Sequence, residues 1–287
     1  MTHLDSARRL AVLGSPIGHS RSPLLHRTAY AVLGLPWEYE AVEMPADSLE
    51  EFVGGLDAAW RGLSLTMPLK ETVLPLLDDV DAVARATGAV NTVLVEHDGG
   101  ARRLTGFNTD VHGITEALRR SGISLATHAV IVGGGATARS AVVAAAQLGA
   151  EHVDIALRTP SKAADVVESA RAAGLTSTVL ALDDPAVLAL APDVTISTLP
   201  GGVGAHSHFE GAAAARSSTL LDVAYHPWPS ELATLWEAAG SPTIPGLAML
   251  VHQAVAQVRI FVHGDPLIPL PAEEPLTAEL LATVGLA

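Results

Sequence analysis

A continuous apolar run, Ala129 to Val132, empties into Gly133-Gly134-Gly135, and an Ala/Val-rich stretch with helical character runs from Ala138 to Leu148. Strand, tight turn and helix in that order open a βαβ unit, the context in which Gly133-x-Gly135-x-x-Ala138 becomes a dinucleotide-binding pattern. The glycines let the backbone approach a pyrophosphate, whose charge the helix N-terminus favours. The next strand, Val153 to Leu157, runs into Arg158 and Thr159, with Lys162 close behind. A site for NAD usually carries Asp or Glu at that point to hold the ribose hydroxyls. Two cations and a hydroxyl suit a 2′-phosphate instead, so NADP is the expected cofactor. Asp154 lies mid-strand and is poorly placed to serve as the acid.

The same alternation governs the N-terminal part. Leu10 to Leu13 reads as a buried strand that opens into a loop from Gly14 to Arg21, and a helix follows to Gly34. Ser22 as N-cap with Pro23 at the first helical position marks its start. Tyr39 to Val42 reads as a strand, Ser48 to Leu56 as a helix and Gly62 to Thr66 as a strand, predicting a mostly parallel sheet. Further strands are expected at Val194 to Ser197 and Leu220 to Val223. A long helix is expected from Gly246 to Val262, with a Pro-rich stretch, Pro266 to Pro275, ahead of a short terminal helix.

Bulk properties narrow the partners. The 287 residues suggest two domains, and 49% hydrophobic content with few aromatics fits a water-soluble α/β protein. A net charge of −14 argues against nucleic acid or an anionic membrane as the main partner, so an anionic ligand needs a local pocket. The chain has no cysteine, which excludes disulfides, thiolate metal sites and a Cys nucleophile and fits a reducing cytoplasm. The apolar stretch before Gly14 is too short for a secretion-signal core.

Only two of the 17 basic residues are lysines, Lys70 and Lys162. Arg stays protonated, whereas Lys can give up and retake a proton, so each lysine asks for a reason. Lys70 ends the segment Leu65 to Lys70, where a strand breaks at Pro68. Asp110 sits in the segment Gly106 to Gly113, at the junction of the two units. An ammonium and a carboxylate are the pair that suits a carbonyl being reduced to an alcohol; Asp110 also has the position of a helix N-cap. Ser15, Ser20 and Ser22 crowd one helix N-terminus, where hydroxyls can hold a carboxylate. Ser22 alone would suffice as a cap, leaving Ser15 and Ser20 over. The twelve histidines show no HExxH pattern and no His/carboxylate cluster at ligand spacing in sequence. His206 and His208 share a loop, where their alternation fits chance as well as a metal, and no metal is assigned.

Taken together, the segments Gly14 to Pro23, Leu65 to Lys70, Gly88 to Thr92, Asn108 to Asp110, the glycine turn, Asp222 to Tyr225 and Gly246 to Gln253 resemble the shikimate dehydrogenase family, in family order and over nearly the whole chain. The resemblance implies an α/β fold of two α/β domains flanking a cleft. An N-terminal substrate domain would span 1–107 plus 245–287, and a Rossmann-type NADP domain 108–244. It implies reversible NADPH-dependent reduction of 3-dehydroshikimate to shikimate, on the route to chorismate and the aromatic amino acids. Quinate or aminoshikimate is the alternative substrate within the family, and a catalytically dead ligand sensor on the same fold the alternative outside it. Lys70 and Asp110 would be the catalytic pair. Ser20 and Ser22 would hold the substrate carboxylate, and Thr66, Asn91, Asp110 and Gln253 its ring hydroxyls, with Tyr225 nearby. Gly133, Gly134, Gly135, Ala136, Thr137, Arg158, Thr159, Lys162 and Gly246 would contact NADP. A monomer or homodimer is expected, without nucleic acid or membrane. Three positions depart from the family pattern: Ser64 replaces Asn, Ala136 replaces Gly, and Leu157 replaces the Asn before Arg158 and Thr159.

Overall fold

In a computed structural model that describes residues 6–286, the chain divides into two compact units, Met1–Thr109 with Leu250–Ala287, and Asp110–Met249. The chain order is β1 (Arg8–Gly14), α1 (Ser22–Val32), β2 (Trp37–Glu43), α2 (Leu49–Gly54), β3 (Trp60–Leu65), α3 (Leu69–Thr72), β4 (Asp79–Val80), α4 (Ala82–Thr87), β5 (Thr92–Asp98) and β6 (Ala101–Phe107). It continues with α5 (Asp110–Arg120), β7 (His128–Val132), α6 (Ala136–Gln147), β8 (His152–Leu157), α7 (Ala164–Ala172), β9 (Thr176–Ala181), β10 (Val194–Ser197), α8 (Ala214–Ser217), β11 (Thr219–Asp222), α9 (Glu231–Ala238), β12 (Thr243–Pro245), α10 (Gly246–His263) and α11 (Glu273–Thr283).

The first unit is built on a six-stranded sheet of order β2-β1-β3-β5-β6-β4. Strands β2, β1 and β3 are parallel, as the βαβ pattern predicts, but β5 runs antiparallel to both β3 and β6. The sheet is therefore mixed. The β5–β6 hairpin turns on Gly99 and Gly100, both at positive φ, a signal that the βαβ periodicity hides. The run Leu10–Leu13 is apolar throughout because both faces of β1 are covered. Leu10 and Val12 join one core with Tyr39, Leu94, Val251, Val258 and Phe261, while Ala11 and Leu13 join another with Leu49, Leu63, Leu69 and Val93. Gly62 is required where Phe261 lies on β3: a Cβ there would stand 2.2 Å from the Phe261 ring. Arg61 Nε closes the same junction by donating to the Phe261 carbonyl at 2.7 Å.

The second unit has a wholly parallel sheet of order β12-β11-β10-β7-β8-β9. Read from β7, this is the doubly wound 3-2-1-4-5-6 arrangement, whose direction reverses between β7 and β10. Its strands read as apolar runs because helices cover both faces. One face is sealed by a core that includes Val130, Val132, Phe209 and Trp236.

Local details differ from expectation. The helix expected from Ser48 starts at Leu49, after a 3-10 turn over Ala46–Ser48. The terminal helix begins at Glu273 and takes Pro275 into its first turn, where a missing N–H leaves no helical bond unmade.

Candidate functional site

In the first unit, β1 and β3 end side by side and their loops are tied together: Thr66 N donates to Leu13 O at 2.9 Å and Ser15 N to Met67 O at 3.0 Å. The first loop leads to α1. Here the structure corrects the expected cap. Arg21, in helical conformation, occupies the N-cap position without a side-chain bond, and Ser22 is already helical, with Pro23 in the first turn. The acceptor comes from Ser20, whose Oγ receives the Ser22 N–H at 3.3 Å. Ser15 is not surplus either. Its hydroxyl donates to Glu43 at 2.5 Å, and the same carboxylate accepts from Ile17 N at 2.9 Å. Those two bonds hold Glu43 below the usual carboxylate range, the Ser15 hydroxyl contributing most. The loop is thus braced by Glu43, and among the described residues the hydroxyl of the buried Ser22 makes no hydrogen bond.

Lys70 lies half-buried in α3, whose frame is set by Leu69 N donating to Thr66 O and by Val90 N donating to Lys70 O. The second of these places the Gly88–Thr92 segment beside the lysine's backbone. Asn91 is 2% exposed and central to a polar cluster. Its Nδ2 donates to Thr109 Oγ1 at 2.9 Å and to Gln253 Oε1 at 3.4 Å, while its Oδ1 accepts from Thr109 N and Thr92 Oγ1, each at 2.8 Å. Asn108 anchors the same segment by donating to Thr87 and the Ala89 carbonyl. Thr109, which reads from the sequence only as a local turn residue, joins Asn91 to Gln253. Asp110 follows it in the chain as the first residue of α5, the position its N-cap reading approximates, and is 4% exposed.

Beneath this cluster a second set of buried polar groups explains Ser64. Tyr39 Oη donates to Ser64 Oγ at 2.6 Å, Ser64 donates to Gln257 Oε1 at 3.0 Å, and Gln257 Nε2 reaches Asn91 O at 3.2 Å and Thr92 Oγ1 at 2.9 Å. Burial pushes the Tyr39 phenol well up, so it stays a donor. A hydroxyl at 64 can accept from one neighbour and donate to the next. The chain uses that relay to fix Asn91 and Thr92 from below.

In the second unit, the glycine turn has the features a pyrophosphate needs. Gly133 has φ +127°, and a Cβ on it would stand 2.2 Å from Thr198 Oγ1, which itself donates to Val132 O. At Gly134 a Cβ would meet Leu157 at 2.9 Å; at Gly135 it would meet nothing within 4 Å. Leu157 therefore supports the turn from below. Helix α6 starts at Ala136 with no side chain capping it, so the N–H groups of its first turn, from Ala136 and Thr137 on, keep their capacity for an anion. Arg158, Thr159 and Lys162 are exposed just past β8, and among the described residues neither cation has an acidic partner. An uncapped helix, an open glycine and two unopposed cations form a donor set that fits a dinucleotide carrying a 2′-phosphate.

Two further expected residues sit in this unit. Gly246 opens α10 where a Cβ would stand 2.1 Å from the Val223 carbonyl, so only glycine fits. Tyr225 is half-buried in the loop after β11. That loop is tied down by Asp222, which accepts from Ala224 N at 3.2 Å and from Ser230 Oγ at 2.6 Å; Ser230 in turn caps α9. Burial raises the Asp222 carboxyl and the Ser230 bond opposes it.

No His/carboxylate cluster stands at ligand spacing in the sequence; strand register nonetheless brings His128, His152 and Asp154 together. Asp154, poorly placed to hold a ribose, instead meets both histidines.

A family model described as the shikimate dehydrogenase substrate binding domain matches residues 12–93. Over 97% of the chain and 99% of the relative, 32% of residues are identical to a shikimate dehydrogenase (NADP(+)) of Halothermothrix orenii. The chain belongs to the shikimate dehydrogenase family. Shikimate dehydrogenase of Mycobacterium tuberculosis superposes with a TM-score of 0.83 at 38% identity, covering 96% of this chain and 99% of that one. Shikimate 5-dehydrogenase of Thermus thermophilus, solved in complex with NADP(H) and shikimate, superposes with a TM-score of 0.77 at 32% identity, covering 96% of this chain and all of that one, 100%. Both are family members over their whole length. Among the described residues, no helix is long and apolar enough to cross a membrane.

Proposed function

We propose that this protein catalyses the reversible NADPH-dependent reduction of 3-dehydroshikimate to shikimate, as its relatives' names describe for them. The observation that carries the cofactor half is the unopposed pair Arg158 and Lys162 behind an uncapped helix N-terminus. Carrying the substrate half is the buried Asn91–Thr109–Gln253 cluster, rich in hydroxyl and amide groups suited to a polyol ring.

The roles follow from chemistry. Bound NADPH supplies the hydride. Ser20 and Ser22 offer hydroxyl donors to the substrate carboxylate, with Ser15 retained by Glu43. Thr66, Asn91 and Gln253 orient the ring hydroxyls, and Tyr225 borders them. Lys70 stabilises the negative charge that develops on the carbonyl oxygen and passes it a proton, while Asp110 orients that oxygen and shares the proton. The cysteine-free composition suits the cytoplasm, where we place the enzyme.

The test is a turnover assay with purified protein, following nicotinamide absorbance with 3-dehydroshikimate and NADPH and, in reverse, with shikimate or quinate and NADP⁺. Turnover preferring shikimate is expected. A clear preference for quinate would move the substrate assignment within the family, and binding without turnover would identify a sensor.

A further inference from the structure

The doubly wound sheet carries a second constellation at the end opposite the glycine turn. His128, His152 and Thr176 are the first residues of β7, β8 and β9 and stand in register across the three strands. Asp154, two residues along β8, shares a face with His152 and is in register with Thr178. Asp154 is 5% exposed, yet its two oxygens face one histidine each: Oδ2 lies 2.7 Å from His128 Nε2 and Oδ1 3.3 Å from His152 Nε2.

Proton bookkeeping makes this arrangement unusual. Thr176 Oγ1 donates its one proton to the Glu151 carbonyl at 3.0 Å, so toward His152 Nδ1, at 2.8 Å, it can only accept. Nδ1 therefore carries the proton, and in the neutral ring Nε2 is a bare lone pair. Thr178 Oγ1, 3.2 Å away, can donate to it; the Asp154 oxygen cannot. A proton on His152 Nε2 or a metal ion would each join the ring to the carboxylate, and the second histidine on the same carboxylate completes a three-ligand set.

We propose that His128, His152 and Asp154 bind a divalent transition-metal ion, with zinc the best match to two imidazoles and a carboxylate. The three ligand atoms lie within 4.8 Å of one another. Bonds of about 2.0–2.2 Å in a tetrahedron require ligand atoms roughly 3.3–3.6 Å apart, so binding would need the half-exposed rings to rotate slightly. Thr176 fixes the His152 tautomer for Nε2 ligation, the role an outer partner plays in metal sites. Asp193 holds the His128 backbone by accepting from Thr127 N at 2.7 Å and His128 N at 3.0 Å. The exposed side of the histidines admits water as fourth ligand. Five residues of strand separate His128 from Gly133, roughly 16 Å at about 3.3 Å per residue. The ion would join β7 to β8 and stabilise the sheet without touching the reaction.

The experiment uses full-length protein stripped of metal with a chelator, then titrated with Zn²⁺ and separately with Co²⁺. Expected are one Zn²⁺ per chain, a thermal midpoint raised by several degrees when zinc is in large excess over its Kd, and the visible bands of tetrahedral Co²⁺. His128→Gln, on a partly exposed ring, and the double variant H128Q/H152Q should abolish all three, with turnover and NADPH affinity unchanged. Absence of the Co²⁺ bands in the wild type overturns the proposal, whether or not the double variant folds. So does a zinc response that persists undiminished in H128Q, since the ion would then sit elsewhere.

Discussion

At the scale of single residues, the proposed discrimination between cofactors rests on Arg158, Thr159 and Lys162. Leu157 lies beside Gly134 and offers no polar contact, so in the proposed site Arg158, Thr159 and Lys162 would carry the preference for a 2′-phosphate. Charge-assisted bonds contribute roughly 1.5–3 kcal/mol each. Arg158→Ala should therefore weaken NADPH binding about tenfold or more while NADH use barely moves; equal losses for both would sink the assignment. Lys70 offers a sharper contrast. Lys70→Ala should lower kcat by about 10²–10⁴, the range of a positioned acid–base group, with NADPH affinity unchanged in a binding titration. Lys70→Arg keeps the charge but cannot exchange its proton near neutral pH, and should recover little turnover. Near-normal activity in that variant would reduce Lys70 to a fixed positive charge.

At the scale of elements, two glycines of one turn that look alike in sequence separate in structure. In the glycine turn, Gly133→Ala would place a Cβ against Thr198 at positive φ, and should lower stability by about 1–3 kcal/mol. Gly135→Ala meets no protein atom within 4 Å and should leave folding intact while weakening NADPH, because its Cβ enters the space proposed for the pyrophosphate. Thermal melts beside cofactor titrations of the two variants distinguish these outcomes, and parallel losses in both would contradict the assignment. The start of α1 behaves in the same way. The sequence pattern makes Ser22 the cap, and a cap lost to alanine costs about 1 kcal/mol. In the structure Ser20 is the acceptor and Ser22 makes no cap bond. Ser22→Ala should therefore change stability by less than about 0.5 kcal/mol yet raise the KM for substrate. A cap-sized stability loss without a KM change would restore the purely structural role.

At the scale of the molecule, acid should act on the first unit through His26. This residue is fully buried in α1, stacked on Tyr39 at 4.0 Å, with Nδ1 donating to Ser22 O at 2.9 Å. Burial pushes its pKa down from 6.5 to about 4, against the smaller opposing effect of the Ser22 carbonyl. Between those two values the unfolded chain binds a proton that the folded one refuses, so stability rises with pH across the window and is lost as pH falls through it. The loss from pH 6.5 to pH 4 is roughly 3 kcal/mol, at about 1.4 kcal/mol per pH unit. Denaturant titrations across this range should show it. His26→Phe, which retains a ring against Tyr39, should flatten that slope; an unchanged slope would assign it to other groups.

Much of the molecule was readable from the chain because it depends on short-range pattern. Apolar runs such as Leu10–Leu13 and Ala129–Val132 mark strands buried on both faces, and the glycine turn marks the strand–helix joint that a dinucleotide needs. The scarce lysines and the cations after β8 stand out by residue type alone. What remained hidden depends on which strands become neighbours. The antiparallel β5, the relay from Tyr39 through Ser64 to Gln257, the link from Asn91 through Thr109 to Gln253, and the His128–His152–Asp154 cluster all join residues far apart or in separate strands. Ser15 reads as surplus in the sequence for a similar reason: Glu43, 28 residues beyond it, claims its hydroxyl, while Ser20 Oγ takes the Ser22 N–H. Local sequence sets each residue's donors, acceptors and preferred backbone, but a hydrogen bond or ligand set needs a partner, and only the pairing of strands in space supplies it.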